Sequence, residues 1–329
     1  MIIIKITAPS GIFSELLLRQ LPIESEDFKN YRFHVNDEII KCDWWIILHG
    51  SAIDEEMSVE CDPNHIVYIS MEPDEKVLGL NDRFLKQFSL IYSCDQEIEH
   101  KNIINFNVST WWVGIDVGIK NKKHNFYATK SLSFEYFKNL KPPPKINKIS
   151  CIVSSKKTLP GHKQRAHFLD LLMKEPVGKY IDLFGEGYKP ISDKLDAILP
   201  YRFHLSIENS FKSNYWSEKI GDAFLGFSLP IYCGCINIDS YFPKNSFFSI
   251  SLDPKLASKK MMELILTDTC YSSEILKARN KILHEYNIFY ILKNLCSENA
   301  KIIKKCIIYP NYTYSKNLFK KLFYLFKGH

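Results

Sequence analysis

Between Tyr201 and Gly234 the chain reads YRFHLSIENSFKSNYWSEKIGDAFLGFSLPIYCG, and this run admits few folds. Phe203–Ile207 is a short apolar run with the pattern of a buried strand. A polar loop follows, beginning with Glu208-Asn209-Ser210. Ser217 suits a helix N-cap because its hydroxyl can accept from an otherwise unpaired backbone N–H, and the residues after it predict a short helix. Gly226 is placed to end that helix, and Leu229–Tyr232 predicts the next strand. Strand, loop, capped helix and strand make half of an α/β nucleotide site. In such units the helix N-terminus lies at the carboxyl end of the strand, where backbone N–H groups and the helix dipole favour anions. Glu218 and Lys219 fall in that first turn, and Lys219 would add its own positive charge.

The residues before this stretch extend the same pattern. Ile149–Ser154 predicts a strand, followed by the basic cluster Lys156, Lys157, His162, Lys163 and Arg165 and by a helix to Lys174 with Phe168, Leu171 and Leu172 as its apolar face. Such a cluster is ordinarily a solvated loop, but its place after a strand suits a phosphate. Tyr180–Phe184 predicts another strand, with Gly185-Glu186-Gly187 as its turn.

The first half alternates apolar runs with polar segments. Strands are expected at Ile2–Ile6, Tyr31–Val35, Trp44–Leu48, Ile66–Ser70, Leu90–Tyr92 and Ile103–Phe106, and helices at Phe13–Gln20 and Asp82–Gln87. No Gly-x-Gly-x-x-Gly follows the first strand, which argues against a dinucleotide. Glu72 falls just after a buried strand, and Pro73 keeps it out of helical geometry. It can be read as a general base in a cleft or as an ordinary loop carboxylate. Trp44-Trp45 and Trp111-Trp112 suit core packing better than sugar stacking. The run KNLKPPPKINK breaks any helix and reads as a stiff linker. The expected division is residues 1–140, a linker at 141–148, a second domain at 149–300 and a tail at 301–329.

Charge bears on partners. The net charge is +6, yet residues 301–329 hold seven Lys and no acidic residue, so the remainder is close to neutral and a nucleic-acid surface is not expected. In the tail, Leu318, Phe319, Leu322, Phe323, Leu325 and Phe326 alternate with Lys316, Lys320, Lys321 and Lys327, the pattern of a basic amphipathic helix on an anionic membrane. Nine Cys lack framework spacing and point to a reducing compartment. Cys233-x-Cys235 has no companion pair at zinc spacing, so no metal site is expected there. No signal peptide and no apolar run long enough to span a membrane is visible.

The pattern Tyr-x-Phe-x-Leu-x-x-Glu-Asn-Ser, Tyr-x-Ser-Glu-Lys and Pro-Ile-Tyr-x-Gly resembles the donor-site signature of the α1,3/α1,4-fucosyltransferases, glycosyltransferase family ten, with Ser217 where the family usually has Thr. Arg165, followed by Phe168 and Leu172, resembles the family's pyrophosphate-binding Arg, and Glu72 with Pro73 resembles the end of the strand bearing its catalytic base. The resemblance covers most of residues 149–252 and only scattered pieces of the first half.

It implies a GT-B arrangement of two Rossmann-like α/β domains with a cleft between them, plus the tail. Residues 1–140 would bind the acceptor and 149–300 a GDP-sugar. The implied catalytic residue is Glu72. The implied donor-binding residues are Arg165, Glu208, Asn209, Tyr215, Ser217, Glu218 and Lys219. The reaction would be inverting transfer of fucose from GDP-fucose, a substrate, to a glycan acceptor in surface polysaccharide or lipopolysaccharide synthesis. No cofactor would be required, since no Asp-x-Asp motif is present, and a divalent metal would at most stimulate. The protein would be cytoplasmic, held at the inner face of the membrane through the tail. The rival readings are transfer of another GDP-activated sugar and a non-catalytic carbohydrate-binding protein at the membrane.

Overall fold

The structure is a computed structural model that describes residues 1–9, 13–73, 79–108, 110–119, 126–153, 160–267 and 272–314. The chain forms two compact units, one of Met1–Val108 with Ile288–His329 and the other of Ser109–Asn287. Among the described residues no helix is long and apolar enough to cross a membrane.

The first unit begins with β1 (Ile2–Thr7), α1 (Phe13–Leu18), β2 (Tyr31–Val35), β3 (Trp44–Leu48), β4 (Met57–Cys61), β5 (Ile66–Ile69), α2 (Asp82–Leu85), β6 (Leu90–Ser93) and β7 (Ile103–Asn105). Six of these strands make one sheet in the order β2-β1-β3-β5-β6-β7, every pair parallel. Both faces of its centre are covered, which is why β3 reads as the unbroken apolar run WWIIL. Its side chains alternate, with Trp44, Ile46 and Leu48 in one core cluster and Trp45 and Ile47 in the other. Trp45 donates its indole N–H to Thr7 Oγ1 at 2.9 Å, and Trp44 stacks on His65 with ring centroids 3.8 Å apart. These rings are core, as expected.

The second unit contains β8 (Ile115–Ile119), β9 (Phe126–Ser131), α3 (Phe134–Asn139), β10 (Ile146–Val153), α4 (Pro160–Leu172), β11 (Ile181–Gly185), α5 (Lys194–Ile198), β12 (Tyr201–Ile207), α6 (Glu218–Leu225), β13 (Leu229–Cys233), β14 (Phe248–Ser249), α7 (Pro254–Leu266) and α8 (Ser272–His284). Its sheet runs β11-β10-β12-β13-β14, again parallel throughout. β8 and β9 pair antiparallel beside it in sequence as a separate ribbon. The chain then returns to the first unit as α9 (Ile288–Leu295) and β15 (Lys304–Ile308). Two α/β units, each on a parallel sheet, are therefore present as expected.

Their boundaries are not those expected. Residues 109–140 go with the second unit because their groups are satisfied there. Asp222 accepts the backbone N–H of Trp112 at 2.8 Å, Asp193 accepts that of Gly114 at 2.8 Å, and Trp111 packs edge-on against Phe137. The expected linker 141–148 is no free connector either, since its last residues open β10 and half-buried Lys145 donates to the carbonyls of Leu199 and Gly226, at the ends of α5 and α6. Residues 288–300 leave the second unit because α9 buries Ile288, Phe289, Ile291 and Leu292 in the core of the first. The expected tail also starts too early, because β15 pairs antiparallel with β4. The amphipathic stretch from Lys316 to Lys327 lies outside the described residues, as do Lys156 and Lys157.

Phe289 tests this division. It is fully buried against the first unit's sheet and meets Phe33 edge-on at 4.9 Å. Phe289→Ala should lower stability by about 3–5 kcal/mol, read by urea unfolding. A loss below about 1 kcal/mol would show that α9 is not part of that core.

Candidate functional site

The site is built where β10 and β12 end. On α4, Arg165, Phe168, Leu169 and Leu172 share one face at helical spacing, and all four are buried. Leu169 takes the place expected of Leu171, which is exposed. Arg165 is thus carried inward by the same periodicity that buries its neighbours. It lines a cavity of about 240 Å³ together with Lys194, His204, Glu218, Lys219 and Asp222. No carboxylate among the described residues lies within ion-pair distance of its guanidinium.

The α6 terminus is held from behind. Glu208 follows β12 and is fully buried. Its Oε1 accepts the Ser217 backbone N–H at 2.8 Å, and its Oε2 accepts the Ser217 hydroxyl at 2.6 Å and the Lys219 ammonium at 3.2 Å. Ser217 is the N-cap, as its sequence position predicts, and its Oγ also lies 2.8 Å from Lys219 Nζ. Glu208 and Ser217 therefore shape the terminus and do not line the cavity themselves. Gly234 leaves room for this carboxylate, since a Cβ there would stand 2.4 Å from Glu208 Cγ. Gly226 does end α6, though not by a left-handed turn. That conformation falls on Phe227, with φ 55°, while a Cβ on Gly226 would meet Ile198 Cγ2 at 2.5 Å.

Two cavity residues lie one turn apart on α6, Glu218 and Asp222, so one lysine can reach both. Lys194 Nζ stands 3.1 Å from Glu218 Oε1 and 3.2 Å from Asp222 Oδ2. Burial works against the ionised form of Glu218, but Lys194 and then Lys219 hold its carboxyl well below the usual range. Asp222 is pushed up by burial, with Glu218 adding to the shift. Arg165, Lys194 and Lys219 line the cavity with Glu218 and Asp222; the two lysines are paired with carboxylates, whereas Arg165 has none within ion-pair distance among the described residues. Such a guanidinium favours an incoming anion.

His204 bonds Ser150 Oγ through Nδ1 at 2.8 Å, and burial with Lys194 nearby lowers it to about 3, so it stays neutral. Burial pushes Cys151 up to about 12 and Cys233 up to about 11, which leaves both as inert thiols.

Asn209 and Tyr215 do not line the cavity. Tyr215 is buried, and Asn209 Oδ1 is a buried acceptor without a hydrogen-bond partner. The Asn209 carbonyl packs against the start of α4 so closely that a Cβ on Gly161 would lie 1.8 Å from it. Glu72 stands in the first unit. It is half-buried, with its backbone N–H 3.4 Å from Ser70 Oγ and its carbonyl accepting that hydroxyl at 3.1 Å. His49 ends the neighbouring strand β3 with φ 68°, and its N–H donates to Ile69 O at 2.9 Å. Burial lowers its imidazole, and the Glu72 carboxylate opposes that shift.

Sequence reasoning missed Lys194, His204, Asp222 and His49. A signal existed for Asp222, a charge inside an otherwise apolar helix segment. None existed for Lys194, because its partners lie 24 and 28 positions away.

A parallel sheet whose capped helix presents Lys219 at the carboxyl end of a strand is an arrangement suited to holding an anion. Residues 143–273 match the family model described as glycosyltransferase family 10 (fucosyltransferase) C-term. Over 134 residues the chain is 29% identical to the 4-galactosyl-N-acetylglucosaminide 3-alpha-L-fucosyltransferase 9 of Bos taurus and to that of Homo sapiens, covering 40% of this chain and 37% of each relative. The chain thus spans little more than a third of the length of these curated relatives. Among solved structures it is similar to an alpha1,3-fucosyltransferase with GDP-fucose, at 17% identity, TM-score 0.45 and coverage of 87% of this chain and 82% of that one. It is also similar to the T4 phage BGT in complex with UDP and Mn2+, at 11% identity, TM-score 0.45 and coverage of 90% and 97%.

Two outcomes follow. Gly161→Ala must displace the start of α4 or the Asn209 loop, so it should weaken binding of GDP by about tenfold or more through Arg165 while the fold is kept. Isothermal titration beside a circular-dichroism spectrum checks this, and unchanged affinity would refute it. The second concerns acid. The folded-state pKa of Glu218 lies below its unfolded value near 4.5, so its contribution to stability is present above that pH and is lost as pH falls through the folded value. Glu218→Gln should therefore flatten the fall of stability below about pH 4.5 in urea titrations, and an equally steep fall would contradict the assignment.

Proposed function

We propose that the protein is an inverting fucosyltransferase using GDP-fucose as donor. The observation that carries this is the cavity of the second unit. Buried Arg165, without a carboxylate partner among the described residues, and Lys219 in the capped first turn of α6 converge there. A buried guanidinium with no counter-charge is costly unless an anion joins it, and its planar fork suits two phosphate oxygens. The match of residues 143–273 to the fucosyltransferase family model supports a fucosyl donor.

In the proposed reaction a glycan hydroxyl attacks the anomeric carbon of fucose opposite GDP. Glu72 takes the hydroxyl proton, and the bond to GDP breaks with its electron pair leaving on the diphosphate. Arg165, Lys219 and the α6 N-terminus stabilise that charge. Glu218 and Asn209 hold hydroxyls of the donor, and Tyr215 supports the nucleotide. No metal is required in this scheme. The acceptor would bind to the first unit. The glycan would be one of surface polysaccharide or lipopolysaccharide, built at the inner face of the membrane where the basic tail holds the protein in the cytoplasm.

Glu72→Ala should cut transfer by about 10²–10⁴-fold with GDP affinity unchanged, whereas Lys219→Ala should weaken GDP binding. Steady-state transfer to N-acetyllactosamine and its type-1 isomer, with linkage analysis of the product, reads the first; calorimetry reads the second. Persistent transfer by Glu72→Ala would place the base elsewhere, and absence of transfer from GDP-fucose to any acceptor would sink the assignment.

A further inference from the structure

We infer that Lys194 is the positioning residue of the donor site: it fixes the Glu218 carboxylate in the orientation that reads the ribose of the nucleotide. This rests on the reading of the cavity as a GDP-sugar site, and it concerns a residue to which neither the sequence pattern nor the proposed chemistry gave a role.

The argument follows a chain of contacts from the backbone outward. Asp222 is anchored first, since its Oδ1 accepts the backbone N–H groups of Trp112 at 2.8 Å and Val113 at 3.3 Å. Its Oδ2 then holds Lys194 Nζ at 3.2 Å. Lys194 is itself rooted at the first position of α5, whose N-cap Asp193 bonds the Leu195 N–H at 2.8 Å, the Gly114 N–H at 2.8 Å and Lys130 Nζ at 2.8 Å. From this doubly anchored base the ammonium reaches Glu218 Oε1 at 3.1 Å.

Glu218 is a long side chain in the first turn of α6 and would otherwise sample several rotamers. A carboxylate ordered before the ligand arrives loses less on binding, and it presents its acceptor in one place. Lys219 also meets Oε1, at 3.9 Å, so both cations lie on the same oxygen. The inference assigns Oε2 to a ribose hydroxyl. Lys194 lines the cavity and acts through Glu218, whereas Arg165 and Lys219 act on the diphosphate directly.

The test uses the full chain and two probes, GDP and 2′,3′-dideoxy-GDP, titrated calorimetrically. The unmodified protein should bind GDP the more tightly. Lys194→Met should lose about tenfold or more in GDP affinity with little change for the dideoxy probe, as should Glu218→Gln. The double variant should be no worse than either single one, because the two side chains act as a unit. Lys194→Arg, which keeps charge and reach, should recover part of the preference. In turnover the loss should appear in KM for GDP-fucose more than in kcat.

Equal loss for both probes would reveal a merely structural lysine and overturn the inference, as would an undiminished preference for GDP. If Lys194→Met does not fold, Asp222→Asn, which removes the anchor of Lys194, carries the same pair of outcomes. Failure of the unmodified protein to bind GDP would instead overturn the donor-site reading, and the inference with it.

Discussion

The buried carboxylate of Glu208 is the interaction on which the second unit's site depends. It closes the loop between β12 and α6 by taking the N–H and hydroxyl of Ser217, and it restrains Lys219 in the same stroke. Burying a carboxylate is tolerable only with several donors around it, and Glu208 has four, from the Ser217 N–H, the Ser217 hydroxyl, the Lys219 ammonium and, at 3.5 Å, the Tyr232 hydroxyl. Gly234 is part of the same arrangement, because any side chain there would occupy the space of Glu208. The helix N-terminus is thereby aimed before any ligand is present.

A second layer of charge follows from this. Glu218 and Asp222 share Lys194, and Arg165 enters the cavity on the buried face of α4. The carboxylates restrain the lysines and leave the guanidinium as the cation without a carboxylate among the described residues. A diphosphate would meet groups already oriented, which is the arrangement that stabilises a leaving group without reorganisation. Cys151 and His204 in the same walls are kept neutral by burial and take no part in that balance.

Much of the second unit was legible because local rules agreed there. The apolar run of β12, the Ser217 cap and the apolar face of α4 each follow from spacing of 2 or 3.6 residues. The burial of Arg165 follows from sharing a face with Phe168 and Leu172. Gly226 ends α6 as read, while its small size serves a contact with Ile198 and the left-handed residue is Phe227. Glu208 was readable as functional but not as a buried staple, because its partners lie nine and eleven positions on.

By itself, the order of residues determined the strands, the caps and the parallel α/β class of both units, because these depend on periodicity and on groups within a few positions. It also carried the pattern by which residues 143–273 match the family model. Only the tertiary structure decided where the units divide. The prolines at 142–144 look like a boundary, yet Lys145 is hydrogen-bonded to two helix ends and α9 returns to the first sheet. Lys194 belongs to the same category: its value lies in two carboxylates brought to one ammonium by the packing of α5 against α6, a long-range electrostatic fact that no local pattern encodes.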